Sequence, residues 1–258
     1  MPASERKIPA ITASKLTTSN APSSLFLFTV LDINATRVWS TLDSVRVLAI
    51  PVKTLSRAKT RLAPVFSPLE RAALTLAMLE DVLDAALPAA GWETWVISPD
   101  EAVLEIAARR KARPVTEAKP PLSAAVRQVE EETTERDAHA LGILLGDLPL
   151  LTADALTAAL QTLGPVVVAP SSTDRGTNLL VRRPPRAVGA RFGRDSLRKH
   201  VQAAEARHLP VAVIDRPELT TDLDLPEHVL SFLATGKGGR TREVCMDMDV
   251  AGRFAARP

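Results

Sequence analysis

The sequence predicts a single α/β domain with a mostly parallel central sheet and helices on both of its faces. Three features carry that expectation. Short unbroken aliphatic runs at 45–50, 141–145 and 166–169 suit strands covered on both sides, since a half-solvated strand would alternate. Amphipathic helical stretches lie between them, an order that argues for right-handed crossover connections. With 258 residues, 46% of them hydrophobic, the chain can bury one sizeable core.

Val45–Ile50 reads as the first strand, and the segment after it, PVKTLSRAKTRLAP, carries Lys53, Arg57, Lys59 and Arg61 with no acidic residue. Ser67-Pro68-Leu69-Glu70 is a capping-box pattern opening a helix whose apolar stripe is Leu69, Ala72, Ala73, Leu76, Leu79 and Leu83. Trp95–Ser98 is the next strand. Glu101–Lys111 is the next helix, with Val103, Leu104, Ile106 and Ala107 facing inward, and Arg113–Val115 is a third strand. Leu122–Ala138 reads as a charged helix in which Glu130, Glu131, Glu132, Glu135 and Asp137 form a solvated face.

The central strand comes from Ala140–Leu151 (ALGILLGDLPLL), which stops at Gly146-Asp147 because Pro149 cannot extend a ladder. A helix over Ala153–Leu163 and a strand at Val166–Ala169 follow. Asn178–Val181 reads as a strand leading away, Ser196 as the N-cap of a helix over Leu197–Ala206, Val211–Ile214 as the last strand and Pro226–Leu233 as a helix. Residues 1–44, rich in Ser, Thr, Ala and Pro, are expected to be a disordered extension. Residues 45–234 form the domain, and 235–258 are expected to be a flexible tail.

Composition removes several function classes. A net charge of +2 demands neither nucleic acid nor membrane, and 3% aromatic content without tyrosine leaves no platform for stacking bases. No stretch approaches the roughly 18 apolar residues of a membrane span. The single cysteine, Cys245, cannot form an intrachain disulfide and points to a reducing compartment, the cytoplasm. The four histidines lack zinc-site spacing and are read as surface or packing residues. Nucleophile-elbow, Walker and GxGxxG patterns are missing, which disfavours hydrolase, P-loop and dinucleotide readings.

What remains is a set of polar groups expected at one edge of the sheet. Asp147 follows the central strand, at the carboxyl edge where open α/β sheets bind ligands, and is either a metal ligand or a turn residue. The basic loop after the first strand lies at that same edge, where Lys53, Lys59 and Arg61 can grip a triphosphate. Gly176-Thr177-Asn178 offers close backbone approach with a hydroxyl and an amide, and Gly193 with Ser196 sets a hydroxyl and free N–H groups at a helix start. Asp222 and Asp224 add two carboxylates, of which Asp224 is also a candidate cap for the helix after it.

Taken together, PVK…AKTRLAP at 51–64, GDLPLL at 146–151, DRGTN at 174–178, FGRDSLRKH at 192–200 and DLDLPE at 222–227 resemble the guanylyltransferases of coenzyme F(420) biosynthesis. Those enzymes activate 2-phospho-L-lactate or phosphoenolpyruvate with GTP. The resemblance implies a nucleotide-diphospho-sugar transferase-like fold. It implies a triphosphate grip by Lys53, Lys59 and Arg61, and Mg²⁺ held by Asp147 with Asp222 or Asp224. It also implies that Thr177, Gly193 and Ser196 hold the acid, with transient contact to the next enzyme of the pathway. The chain departs from the family at Pro121-Leu122-Ser123, where Gly-Leu-Asn is common, and at Arg175, where a second glycine is frequent. The rival expectations are another nucleotidyltransferase of this fold, acting on a sugar phosphate or a molybdenum cofactor, and a non-catalytic GTP-binding module.

Overall fold

The computed structural model describes residues 45–255; the expected extension at 1–44 lies outside them. Among the described residues seven strands form one sheet: β1 (Arg46–Pro51), β2 (Glu93–Ser98), β3 (Arg113–Thr116), β4 (Ala140–Leu144), β5 (Val166–Pro170), β6 (Thr177–Arg182) and β7 (Val211–Val213). Their order is β3-β2-β1-β4-β6-β5-β7. Neighbours run parallel except β6, which is antiparallel to both β4 and β5. This is the mostly parallel sheet that the aliphatic runs predict; its inner strands are buried along nearly their whole length, while the edge strands β3 and β7 are largely exposed or half-buried.

Successive residues of β1 divide between two cores, as a two-residue side-chain period requires. Leu48, Ile50 and Val52 pack with Leu79, Leu83, Val103 and Leu156 from α1 (Pro68–Ala86), α2 (Glu101–Arg109) and α4 (Ala153–Gln161). Val47 and Ala49 pack with Ala125, Val126 and Val129 from α3 (Leu122–Glu135). On β5 and β6, Val166, Val168 and Leu180 pack against Ala204 of α5 (Ser196–Glu205). Helices therefore cover both faces. The capping box of α1 is formed as expected: the Glu70 N–H donates to the Ser67 hydroxyl and the Ser67 N–H donates to the Glu70 carboxylate.

Three expectations are corrected. Glu130 is not part of a solvated face: its carboxylate meets the guanidinium of Arg182, which is fully buried on β6 and also donates to the Val188 carbonyl. An arginine inside a sheet needs such a counter-charge, and nothing local in the sequence around 130 announces it. Ser196 is not an N-cap but the first residue of α5; Asp195 takes the cap position in a left-handed conformation, φ 56°, without a side-chain capping bond.

The third correction concerns the tail, because residues beyond 235 form α8 (Arg240–Asp247) and α9 (Val250–Ala255). Cys245 and Val250 are buried in a third cluster with Leu74 and Met78 of α1 and with Val229 and Phe232 of α7 (Pro226–Ala234), the helix that follows the single turn α6 (Pro217–Thr220). Asp81 of α1 accepts from the Arg240 N–H at 2.7 Å and the Thr241 N–H at 2.9 Å, and so receives the start of α8. The anchor lies about 160 positions away in the chain, which is why sparse apolar periodicity after 235 reads as a tail. Asp81→Ala leaves both N–H groups without their carboxylate and should cost about 2 kcal/mol, measured as a lower urea midpoint at unchanged m-value.

Candidate active site

The basic loop leaves β1 at Pro51 and runs through two 3-10 turns, Leu55–Arg57 and Thr60–Leu62. It is pinned from beneath. The Leu55 N–H donates to Asp100 at 3.1 Å, and the buried Arg71 of α1 donates to the carbonyls of Ala58 at 3.3 Å and Phe66 at 2.9 Å. Between the turns Lys59 takes a left-handed backbone, φ 49°, rarely tolerated by a side chain of this size. That conformation accompanies an inward-turned side chain that is only 7% exposed.

The Lys59 Nζ lies 2.6 Å from Asp147 Oδ2 and 2.9 Å from Asp224 Oδ1. Arg61 reaches the other oxygen of Asp224 at 3.4 Å. Burial by itself would lower the Lys59 ammonium, but Asp147 and Asp224 outweigh it and hold the group above its ordinary value. At Asp224 burial opposes ionisation, and the charges of Lys59, Arg61 and Lys53 override it, keeping the carboxyl below the usual range. Asp147 Oδ1 is buried without a hydrogen-bond partner among the described residues.

Asp222, two positions before Asp224, is directed elsewhere. One of its oxygens accepts from both the Ser171 and Thr173 hydroxyls at 3.0 Å, and burial together with the nearby Asp147 raises its pKa. A backbone bond from Leu223 N–H to the Asp147 carbonyl, 3.3 Å, ties the two acidic segments together. Asp224 does not cap α7: Leu225 holds the cap position.

A cavity of about 410 Å³ opens over this centre, lined by Lys53, Arg57, Lys59, Arg61, Asp147 and Asp224. A smaller one of about 170 Å³ adjoins it, walled by Pro99, Pro120, Pro121 and Leu122 and sharing Lys53 and Arg57. The carboxyl edge thus gathers Lys53, Lys59, Arg61, Asp147 and Asp224 as the sequence predicts.

Thr177, Gly193 and Ser196 converge on one another rather than on that cavity wall. Thr177 opens β6, and its Oγ1 is 3.0 Å from the Ser196 Oγ and 3.0 Å from His200 Nδ1, all three side chains buried. Gly193, φ 108°, makes the turn into α5 in a conformation that favours glycine. Between this cluster and the cavity stands the Asp174–Arg175 turn. Its carbonyls accept the N–H groups of Asp195 and Leu197, while Asp174 itself lines the cavity. A Cβ at Gly176 would meet the Asp174 carboxylate, which would have to move away from its present bond to the Gly176 N–H at 2.8 Å.

Sequence reasoning missed Ser171 and Thr173 as holders of Asp222, and assigned His200 to surface or packing. One signal for His200 was present, its i,i+4 spacing from Ser196 on a helix. His200 is fully buried, its Nε2 accepts the Arg191 N–H at 2.8 Å, and burial, with Arg182, Lys199 and Arg191 adding repulsion, pushes its pKa down to about 4. A base whose pKa falls on folding binds more protons unfolded, so stability should decline as pH drops from about 6.5 to about 4. The full effect is up to about 3 kcal/mol; it should be absent above pH 7 and lost from the slope of a His200→Asn variant in urea titrations across that window.

Comparison with known proteins agrees with this geometry. The family model described as "Guanylyl transferase CofC like" matches residues 45–257. A phosphoenolpyruvate guanylyltransferase of Rubrobacter xylanophilus is 39% identical over 190 residues, 72% of this chain and 93% of that protein. A 3-phospho-D-glycerate guanylyltransferase of Phenylobacterium zucineum is 40% identical over 198 residues, 74% of this chain and 91% of that protein. Among solved structures, a candidate nucleotide-diphospho-sugar transferase from Desulfovibrio desulfuricans G20 superposes with a TM-score of 0.68 at 17% identity, covering 82% of this chain and 99% of that one. That likeness shows a shared fold. With a family match across all but the first residues and relatives near 40% identity along most of their length, the chain belongs to the CofC-like guanylyltransferase family.

Proposed function

We propose that this protein transfers GMP from GTP to a small phosphorylated acid, phosphoenolpyruvate or 2-phospho-L-lactate, releasing pyrophosphate, as a step of coenzyme F(420) biosynthesis. The observation that carries the reading is the meeting of Asp147 and Asp224 at one ammonium, under a cavity rimmed by Lys53, Arg57 and Arg61. A phosphate oxygen of the acid attacks the α-phosphorus of GTP, forming the new P–O bond as the bond to the β-phosphate breaks. The nucleophile is already ionised at neutral pH, so no general base is needed.

Two polyanions repel each other by several kcal/mol, on the order expected at an effective dielectric near 20, and cationic groups must offset this. Lys53, Lys59 and Arg61 are placed to hold the triphosphate and to take the charge that gathers on pyrophosphate as it leaves. The smaller proline-walled cavity suits the base.

The donor set also fits Mg²⁺. Asp147 and Asp224 offer oxygen ligands of the kind Mg²⁺ takes, and the partnerless Asp147 Oδ1 is one that a cation would satisfy. Among the described residues no three acidic, His or Cys side chains form a ready cage, which matches an ion that keeps water and takes phosphate oxygens for the rest of its shell. Asp147 and Asp224 would hold it, with Asp222, bound to Ser171 and Thr173, behind them. Such an ion would supply charge neutralisation for the two phosphate groups. Among the described residues no helix is long and apolar enough to cross a membrane.

The decisive experiment incubates the protein with GTP, Mg²⁺ and, in separate reactions, phosphoenolpyruvate, 2-phospho-L-lactate or 3-phospho-D-glycerate, following pyrophosphate and the product mass. The first or second acid should yield a guanylylated product; GTP binding with no pyrophosphate from any acid would overturn the reading. Asp147→Asn and Asp224→Asn should each lower turnover by about 10³-fold with the circular dichroism unchanged.

A further inference from the structure

Hydrogen bookkeeping at the buried cluster behind the Asp174–Arg175 turn assigns His200 a task that packing alone does not explain. The Arg191 N–H points at His200 Nε2 from 2.8 Å. A backbone N–H can only donate, so Nε2 must present its lone pair, and a neutral ring then carries its proton on Nδ1. That proton can go to the Thr177 Oγ1, 3.0 Å away. The alternative, a doubly protonated ring, would set two donors head to head at Arg191. Burial and the neighbouring cations Arg182, Lys199 and Arg191 disfavour it further, holding the ring neutral down to about pH 4.

With His200 donating, Thr177 Oγ1 is an acceptor on that side. Thr177 and Ser196 share one further bond at 3.0 Å. Two hydroxyls bring two protons, and one of these is used between them. Whichever hydroxyl donates, one proton is left over, and neither group has another hydrogen-bond partner among the described residues. It sits beside Gly193 and the first turn of α5, where Arg191, Arg194 and Lys199 lie close in the chain, the neighbouring Asp195 carboxylate is paired with Arg175 at 3.0 Å, and the helix start favours an anion.

We propose that His200 is a positioning residue: its Nδ1–H fixes the Thr177–Ser196 hydroxyl pair so that one hydrogen-bond donor is left for an anionic oxygen of the phosphorylated acid. The inference rests on the reading that the acid binds at Thr177 and Ser196. It accounts for a neutral, fully buried imidazole in a protein whose chemistry needs no general base. It also separates the two ends of the ring: Nδ1 serves the ligand site, Nε2 anchors the loop at Arg191.

That separation makes the test specific. The amide nitrogen of Asn falls near the place of Nδ1, and the amide of Gln near that of Nε2. His200→Asn therefore keeps the donor to Thr177, His200→Gln keeps the loop anchor, and His200→Phe keeps neither. Steady-state pyrophosphate release, with GTP and whichever acid the wild type uses, should give an acid KM raised on the order of tenfold in His200→Phe, with the GTP KM within about twofold. His200→Asn should recover most of the loss and His200→Gln little of it. Recovery by His200→Gln equal to that by His200→Asn, an unchanged acid KM, or equal rises in both KM values would overturn the proposal.

If His200→Phe does not fold, the Asn and Gln variants decide by themselves. Thr177→Val tests the underlying reading: if it leaves the acid KM unchanged, the acid does not bind there and the proposal falls with that reading. If it raises the acid KM and the His200 variants do not, only the role of His200 is wrong. Imidazole 15N spectra of the wild type, with the His200 resonances assigned by their loss in His200→Asn, should show that ring neutral and protonated at Nδ1, separate from His228, whose Nδ1 donates to the Asp222 carbonyl at 3.1 Å; an Nε2-protonated or charged ring at His200 near pH 7 would also refute the proposal.

Discussion

The ammonium of Lys59 between the carboxylates of Asp147 and Asp224 is the contact on which the rest of the candidate site depends. Three charged groups taken largely out of water are stable only as a set, since removing one leaves its partners buried and unbalanced. The set joins three segments: the loop after β1, the end of β4 and the stretch before α7 lie 88 and 165 positions apart as measured from Lys59. The left-handed backbone at Lys59, the Arg71 props beneath the loop and the Leu223–Asp147 backbone bond all serve to keep those segments in register.

The sheet explains why they meet at one edge. Parallel strands deliver their carboxyl ends, and the polar loops that follow, to the same side. β6 runs the other way between β4 and β5, so it delivers its first residue instead: Thr177 pairs with Pro170 at the end of β5 and stands at the edge that holds Asp147. One reversed strand thus lets a residue that begins a strand share an edge with residues that follow strands. The Asp174–Arg175 turn, feeding β6, consequently lies between the carboxylates of Asp147 and Asp224 and the α5 start, touching the cavity on one side and the helix N–H groups on the other.

Charges inside this molecule are settled by a counter-charge or by hydrogen-bond donors, and its neutral polar groups by direction. Arg182, enclosed by the sheet, has Glu130; Asp81 has the N–H groups that open α8; Asp222 has two hydroxyls. His200 instead stays neutral and is placed by which of its nitrogens donates. A buried charge needs a compensating partner, whereas the buried neutral ring needs only a matched donor and acceptor.

The seven strands, the helices through α5 and the basic loop at the carboxyl edge were legible because periodicity and residue type are local properties: a buried parallel strand has to be aliphatic, and a capping box is four adjacent residues. The same locality made Lys53, Lys59, Arg61 and Asp147 visible as one group, since each follows directly on a strand. Helices α8 and α9, the counter-ion role of Glu130, the choice of Asp224 over Asp222 as the partner across Lys59 and the buried place of His200 were decided only by tertiary structure. In each case the determining partner is far away in the chain, and a side chain's burial and hydrogen-bond direction exist only once that partner has been folded against it.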